Sequence, residues 1–175
     1  YTKTLSVYSR LVKEFLNDNE SALRHVKTES SDLFDQMSAD RGLYYRMANS
    51  SFTPTKNDFD ARYCYYRIFT NIREVGRSLQ FLTKQASDHV ANRHRIFQGE
   101  LKNDLLSLVS YLEKISTDSN GKQDIDSVLA HSNEAIELID HMQAELLRRI
   151  PNDGISVRGS ELYLNFLVFA RELVN

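Results

Sequence analysis

The chain has little of what marks a secreted, membrane-spanning or β-rich protein. Among its 175 residues there is one cysteine, Cys64, so no internal disulfide can form, which fits a reducing compartment. Its apolar runs are only a few residues long, against the roughly 18 that a membrane span needs, and no signal-peptide pattern opens it. The alternating Val, Ile or Thr runs of β-strands are missing too. These absences predict a soluble, all-α chain.

The chain also lacks an excess of one charge. Its 22 Lys and Arg residues and 24 Asp and Glu residues leave a formal net charge of -2, so no nucleic-acid partner is predicted. Hydrophobic residues make up 41% and charged residues 26% of the chain, as in ordinary globular proteins. Since no shift in composition divides it, we expect one domain over residues 1–175.

The two prolines, Pro54 and Pro151, fall between periodic segments rather than inside them. The pattern predicts an antiparallel bundle of five to six helices. The first predicted helix covers residues 4–16, and the second opens with a capping box of Asn17 and Glu20 and ends near Ala48. The third begins at Asn57 or Asp58 as its cap. The fourth and fifth cover residues 101–115 and 124–149, and the last is capped by Ser160. That last amphipathic pattern runs to Asn175 without a C-cap, so we expect the chain to be excised from a longer protein.

The strongest single pattern is a heptad seam in the third helix. Apolar residues recur there at alternating spacings of three and four, at Tyr65, Ile68, Ile72, Val75, Leu79, Leu82, Ala86 and His89. Such a seam predicts one long helix whose narrow stripe is buried against neighbouring helices. Whether the segment from Arg93 to Gly99 is a break or a kink stays open at this point.

The polar face of the same helix is unusually basic. At about 100° per residue, its cations fall within an arc of roughly 60° on the side away from the seam. They are Arg62, Arg73, Arg77, Lys84 and Arg95. Guanidinium forks bind phosphate, so we name Arg62, Arg73, Arg77 and Lys84 the basic row and treat it as a candidate anion site. The alternative is that the row is solvated or pairs with the many acids in residues 100–145.

A candidate metal site follows at the end of the seam, in Asp88, His89, Asn92 and His94. His89 and His94 are five residues apart, so they can bind one ion together only if the helix ends between them. The alternative is that His89, at a seam position, is a core-edge histidine bonded by a neighbouring helix.

A second histidine set lies on one flank of the fifth helix, opposite its apolar stripe, and is expected to meet water. It comprises His131, Glu134, His141 and Glu145. No Gly-rich phosphate loop, nucleophile elbow, paired Glu-x-x-His or His-Glu-x-x-His motif is present. We therefore predict no cofactor and no enzyme activity, and a metal-dependent bundle enzyme is the weakest alternative.

Residues 65–81, followed by the His-Val-x-Asn-x-His run of residues 89–94, resemble a segment of bacterial inorganic phosphate transporters of the PiT type, as found in Bacteroides-like bacteria. In those proteins a soluble helical region similar to PhoU accompanies the membrane part. Residues 161–166 are similar to the closing helix of that region. The acid pattern of PhoU metal sites occurs here only at Glu100 and Asp104, so a multinuclear metal cluster is not expected.

The resemblance implies a PhoU-like bundle that regulates or assembles a phosphate transporter at the cytoplasmic face of the inner membrane. Its implied partner is the membrane part of the same polypeptide, with phosphate as a candidate ligand and a homodimer as a candidate assembly. The alternative is a free-standing helical protein-interaction domain.

Overall fold

A computed structural model describes residues 2–39, 56–118, 125–150 and 155–174 of the chain. This part of the chain contains six helices and no strand, which confirms the all-α prediction. The helices are α1 (Thr2–Leu16), α2 (Glu20–Ala39), α3 (Lys56–Ala91), α4 (Gly99–Asp118), α5 (Ile125–Arg149) and α6 (Val157–Val174).

Side-chain contacts show that several helix pairs run antiparallel. Between α1 and α2, Lys3 bonds to Gln36 at 2.9 Å and Arg10 forms an ion pair with Glu29, so the numbers on one helix rise as those on the other fall. The same relation holds for three other helix pairs. Helices α2 and α3 are joined by Ser31–Gln80 and Ser30–Thr83, helices α4 and α5 by Asp104–Arg149 and Tyr111–Glu134, and α3 and the turn after it are joined to α6 by Gln85–Asn165 and His94–Arg158. The antiparallel helical bundle is therefore confirmed.

Helix α1 lies at the centre of the bundle. It packs against α2, α3 and α4, and its Tyr8 hydroxyl donates a hydrogen bond to the Phe166 carbonyl oxygen of α6 at 2.9 Å. The ring centroid of Phe15 lies 5.2 Å from that of Phe97 and 5.2 Å from that of Phe166. The predicted inward positions of α1 are fully or almost fully buried, namely Leu5, Tyr8, Leu11, Val12 and Phe15. Aromatic packing around α1 thus joins the first and last helices into one core.

Three predicted helix caps are wrong. Helix α3 begins at Lys56, before Asn57 and Asp58, so neither of these residues caps it.

The caps of α2 and α6 also differ from the sequence prediction. Helix α2 is capped by Asn19, whose side-chain oxygen accepts the Ala22 backbone N–H at 3.1 Å, so the predicted cap at Asn17 is wrong. Helix α6 is capped by Ser156, whose hydroxyl accepts the Gly159 N–H at 3.0 Å. The predicted cap at Ser160 is wrong because a second cap-forming residue stands four positions earlier.

The heptad seam of α3 is buried only in its second half. Leu79, Leu82 and Ala86 are at most 2% exposed, whereas Ile68 is 55% and Ile72 is 43% exposed. The described part of α2 ends at Ala39, soon after Met37, which faces Gly76 of α3. The described helices therefore do not cover Ile68 and Ile72, and the expectation of a fully buried seam is wrong there.

Some predictions lie outside the described residues. These are the predicted end of the second helix near Ala48, residues 49–55 of the loop that follows it, the Asn120–Gly121 turn, and the side chains of Arg62, Tyr65 and Val128. In the described part of the chain, no helix is both long and apolar enough to cross a membrane.

Candidate functional site

The end of α3 brings His89 and His94 together. The helix stops at Ala91, and Arg93 takes the left-handed conformation with φ of 54°. The Arg93 N–H donates to the Val90 carbonyl at 2.8 Å, and the His94 N–H donates to the His89 carbonyl at 3.1 Å. This pair of backbone hydrogen bonds forms a Schellman cap. The cap folds the chain back, so His94 lies next to the last turn of α3. The segment after Arg93 is thus a break, and the two imidazole ring centroids lie 5.1 Å apart.

His89 is held at the edge of the core. Its Nε2 lies 3.1 Å from the Arg95 carbonyl oxygen, and since a carbonyl only accepts, Nε2 carries the hydrogen. Its ring packs edge-on against Phe15 at 5.6 Å, and the residue is 4% exposed. Burial lowers the pKa of His89, and the nearby His94 and Arg158 lower it further, against the raising effect of the Arg95 carbonyl. The predicted position of His89 at the edge of the core is confirmed. The predicted hydrogen bond from a neighbouring helix is wrong, because the partner of the ring is the chain after α3.

The remaining ring nitrogen of His89 has no hydrogen-bond partner among the described residues. Nδ1 carries a lone pair, because the hydrogen is on Nε2, and it is buried without a hydrogen bond. A buried acceptor without a donor costs about 1 to 3 kcal/mol. The site is therefore not fully satisfied by the described chain.

His94 links the end of α3 to the start of α6. The Arg158 guanidinium donates to its Nε2 at 2.8 Å. Since arginine only donates, the ring hydrogen of His94 is on Nδ1. Ser156 caps α6, which places Arg158 in the first turn of that helix. The cap that ends α3 and the cap that begins α6 together position this contact.

A polar cleft of about 320 Å³ opens around this contact. We call it the His–Arg cleft, and it is lined by Gln85, Asp88, His89, Asn92, His94, Arg158, Glu161 and Leu162. All four residues of the predicted metal set therefore line one site. The Asn92 side-chain amide donates to the Asp88 carbonyl oxygen at 2.6 Å, which reinforces the cap rather than leaving that amide nitrogen free for a ligand.

The described geometry does not favour a metal at this cleft. No group of three or more His, Cys, Asp or Glu side chains converges as metal ligands in the described part of the chain. In addition, the Arg158 guanidinium occupies the lone pair of His94 Nε2. The cleft instead offers a mixture of hydrogen-bond donors and acceptors.

The basic row is only partly available to an anion. Arg77 donates to both carboxylate oxygens of Glu74 at 3.2 Å, and the Arg73 guanidinium carbon lies 6.0 Å from the centroid of the Phe69 ring. Lys84 is exposed, and the side chain of Arg62 lies outside the described residues. The inclusion of Arg95 among the clustered cations is wrong, because α3 ends before it.

The acidic residues of α4 and α5 have other cations as partners. Arg149 contacts Glu100 at 2.7 Å, Asp104 at 3.4 Å and Glu145 at 3.5 Å. Glu113 accepts from Lys13 at 2.8 Å and from Ser9, and these hydrogen bonds lower the pKa of Glu113. The described bonds thus do not pair the α3 arginines with α4 or α5.

The second histidine set is dispersed along α5. Tyr111 of α4 donates to the Glu134 carboxylate at 2.5 Å, and Glu145 pairs with Arg148 at 2.6 Å. His131 is half-buried and His141 is exposed. Of this set, Glu134 joins α5 to α4, and the four side chains form no common metal site in the described chain.

Sequence reasoning missed the α6 half of the cleft. Arg158 lies 64 positions from His94, and neither residue stands in a motif that predicts their contact. Glu161 was noted only as part of a similar helix. The sequence signal that could have found them is Ser156. Its role as a helix cap places Arg158 and Glu161 in the first turns of α6.

Comparison of the chain with protein-family models, curated proteins and solved structures gave no match.

Proposed function

We propose that this chain is a regulatory or assembly domain of a PiT-type inorganic phosphate transporter, in contact with the membrane part of the same polypeptide. The observation that supports it most is the division of α3, the helix that carries the resemblance. The first half of α3 leaves large apolar side chains exposed, and its end forms the His–Arg cleft. A long helix with these two features is suited to joining a partner at one end and a ligand site at the other.

The exposed side chains of α3 are large. Tyr63, Tyr66, Ile68 and Ile72 are 43% to 55% exposed and fall within ten consecutive residues. Single exposed apolar residues are ordinary, but here they form two neighbouring pairs, Tyr63 with Tyr66 on one face of the helix and Ile68 with Ile72 on the other. Such paired exposure on two faces supports an interaction role for this segment. We call these four residues the apolar segment of α3, and we assign it to the contact with the membrane part.

The first test concerns the complete reading frame. If the proposal holds, it encodes several apolar runs of about 20 residues, each long enough to span a bilayer. A complete reading frame without such runs would reject the transporter and leave the free-standing interaction domain, which the apolar segment also supports.

The second test measures phosphate uptake by cells that express the complete protein. Changing Ile68 and Ile72 together to Asp places two charges on the contact surface and is expected to alter uptake at unchanged protein levels. Leu147→Asp is the matched control, since Leu147 is 64% exposed on α5 and outside the contact. Uptake equal to the parent in the double variant would contradict the assigned contact.

A further inference from the structure

We propose that the His–Arg cleft binds a small zwitterion, a molecule with a primary ammonium and a carboxylate group, of which a free α-amino acid is the simplest case. This inference goes beyond the proposed function, because it applies equally to a transporter domain and to a free-standing domain. It rests on the hydrogen-bonding groups of the cleft, on their charges and on its size.

The acceptors of the cleft call for a ligand with several N–H donors. Asp88 and Glu161 are exposed, and neither forms an ion pair with the described part of the chain. His89 Nδ1, which has no donor among the described residues, is enclosed and therefore lies out of reach of a ligand in the cleft. The amide oxygen of Asn92 adds another acceptor, because its NH₂ group is the one that bonds to Asp88. An ammonium group has three N–H donors and a positive charge, which match this set.

The donors of the cleft call for an acidic group on the same ligand. Arg158 uses one N–H on His94 and has a guanidinium fork suited to a carboxylate. The ring hydrogen of His94 is on Nδ1, which makes that nitrogen a second donor. A ligand with only an amine would leave these donors without an acceptor.

The net charge of the cleft selects the zwitterion over a simple anion. Two carboxylates face one guanidinium, and the hydrogen bonds of His89 and His94 are those of uncharged rings. The lining therefore has a formal charge of -1, which repels phosphate or sulfate but not a ligand of zero net charge. A volume of about 320 Å³ accommodates a small amino acid.

The test is a titration of the isotopically labelled protein followed by amide NMR shifts. L-Alanine is the probe, and ethylamine, propionate and phosphate are the comparison ligands. With alanine we expect saturable shifts confined to residues 85–94 and 158–162. Ethylamine, propionate and phosphate are each expected to bind at least about tenfold more weakly, a factor that corresponds to about 1.4 kcal/mol of binding free energy. Absence of saturable shifts, shifts elsewhere, or phosphate binding as tight as that of alanine would overturn the proposal.

Two variants separate the ends of the ligand. Glu161→Gln removes an acceptor charge and Arg158→Gln removes the guanidinium fork, and each is expected to weaken alanine binding at least about fivefold while the amide spectrum stays folded. Glu137→Gln, at an exposed acid of α5, is the matched control and is expected to bind alanine as the parent does. Unchanged binding in both cleft variants would show that alanine does not bind as proposed.

Discussion

Arg93 shows how one residue conformation builds the site. Its φ of 54° is required by the Schellman cap, yet this conformation costs a residue with a Cβ roughly 1 to 2 kcal/mol. Helices that end in this conformation usually have glycine at this position. The strain at Arg93 is therefore compensated by the bonds of the cap and by the contacts that the cap brings to His89 and His94.

We expect Arg93→Gly to raise the free energy of unfolding by about 0.5 to 1 kcal/mol, because glycine adopts the left-handed conformation without strain but is more flexible in the unfolded chain. Urea unfolding at neutral pH measures the change. Arg93→Ala removes the same side chain while keeping the Cβ, so it is expected to give no such gain. Equal stabilisation by both variants would mean that the arginine side chain, not the backbone, is the source of the effect.

The pKa of a single residue, His89, also predicts how the stability of the protein depends on pH. The lowered pKa of His89 means that the unfolded chain, with an imidazole pKa near 6.5, binds more protons below that pH than the folded chain does. The contribution of His89 to stability is thus complete above about pH 6.5 and declines as the pH falls below it.

We therefore expect the free energy of unfolding to fall between about pH 7.5 and 5.5, and to fall less in His89→Gln, which does not titrate. Urea unfolding at several pH values is the measurement. His141→Gln, at an exposed histidine of α5, is expected to follow the parent. A parent and a His89→Gln variant with the same pH dependence would remove His89 as the cause.

At the scale of the element, the two halves of α3 differ in burial although they share one heptad pattern. Leu79 is fully buried and Ile72 is 43% exposed. Leu79→Ala is expected to lower the free energy of unfolding by about 2 to 5 kcal/mol, the usual cost of a cavity in a packed core. Ile72→Ala leaves no enclosed cavity and is expected to cost less than about 1 kcal/mol.

Thermal or urea unfolding of the two variants checks this difference. Lys84→Ala is the surface control on the same helix, because Lys84 is exposed. Gln80 is less suitable, since its side-chain amide donates to the Ser31 hydroxyl at 2.8 Å. Similar losses for Leu79→Ala and Ile72→Ala would indicate that the first half of α3 is covered in solution.

The same helix shows what sequence could and could not predict. The spacing of Leu79, Leu82 and Ala86 sufficed to place them in the core, because helical periodicity decides which side chains share a face. The spacing could not show how far along α3 the neighbouring helices bury this face, since that depends on the length of α2. Nor could it predict that a non-glycine residue, Arg93, would end α3 in the left-handed conformation. The contact of His94 with Arg158 depends on both helix ends and on the packing of α3 against α6.

At the scale of the whole molecule, the described helices surround α3 at one end and leave its other end exposed. It has 36 residues, against 20 in the described α2, and packs against α1, α2 and α6. Its seam is buried in the second half, at Leu79, Leu82 and Ala86, and exposed in the first half at Ile68 and Ile72. The bundle therefore fixes the His–Arg cleft more firmly than the apolar segment.

Helices α2 and α3 approach each other closely at Gly76. A Cβ built on Gly76 would lie 2.8 Å from Met37 Sδ and 3.2 Å from Phe34 Cδ2, so side chains of α2 pack directly against the α3 backbone here. His94 follows the end of the same rod, and His89 lies about 20 Å along the axis from Gly76 at 1.5 Å per residue. A tilt of about 10° around this point would move the far end of the rod by roughly 3 Å, by the same geometry. A displacement of that size exceeds the tolerance of a 2.8 Å hydrogen bond, so the contact of His94 with Arg158 requires α3 to keep its orientation against α2.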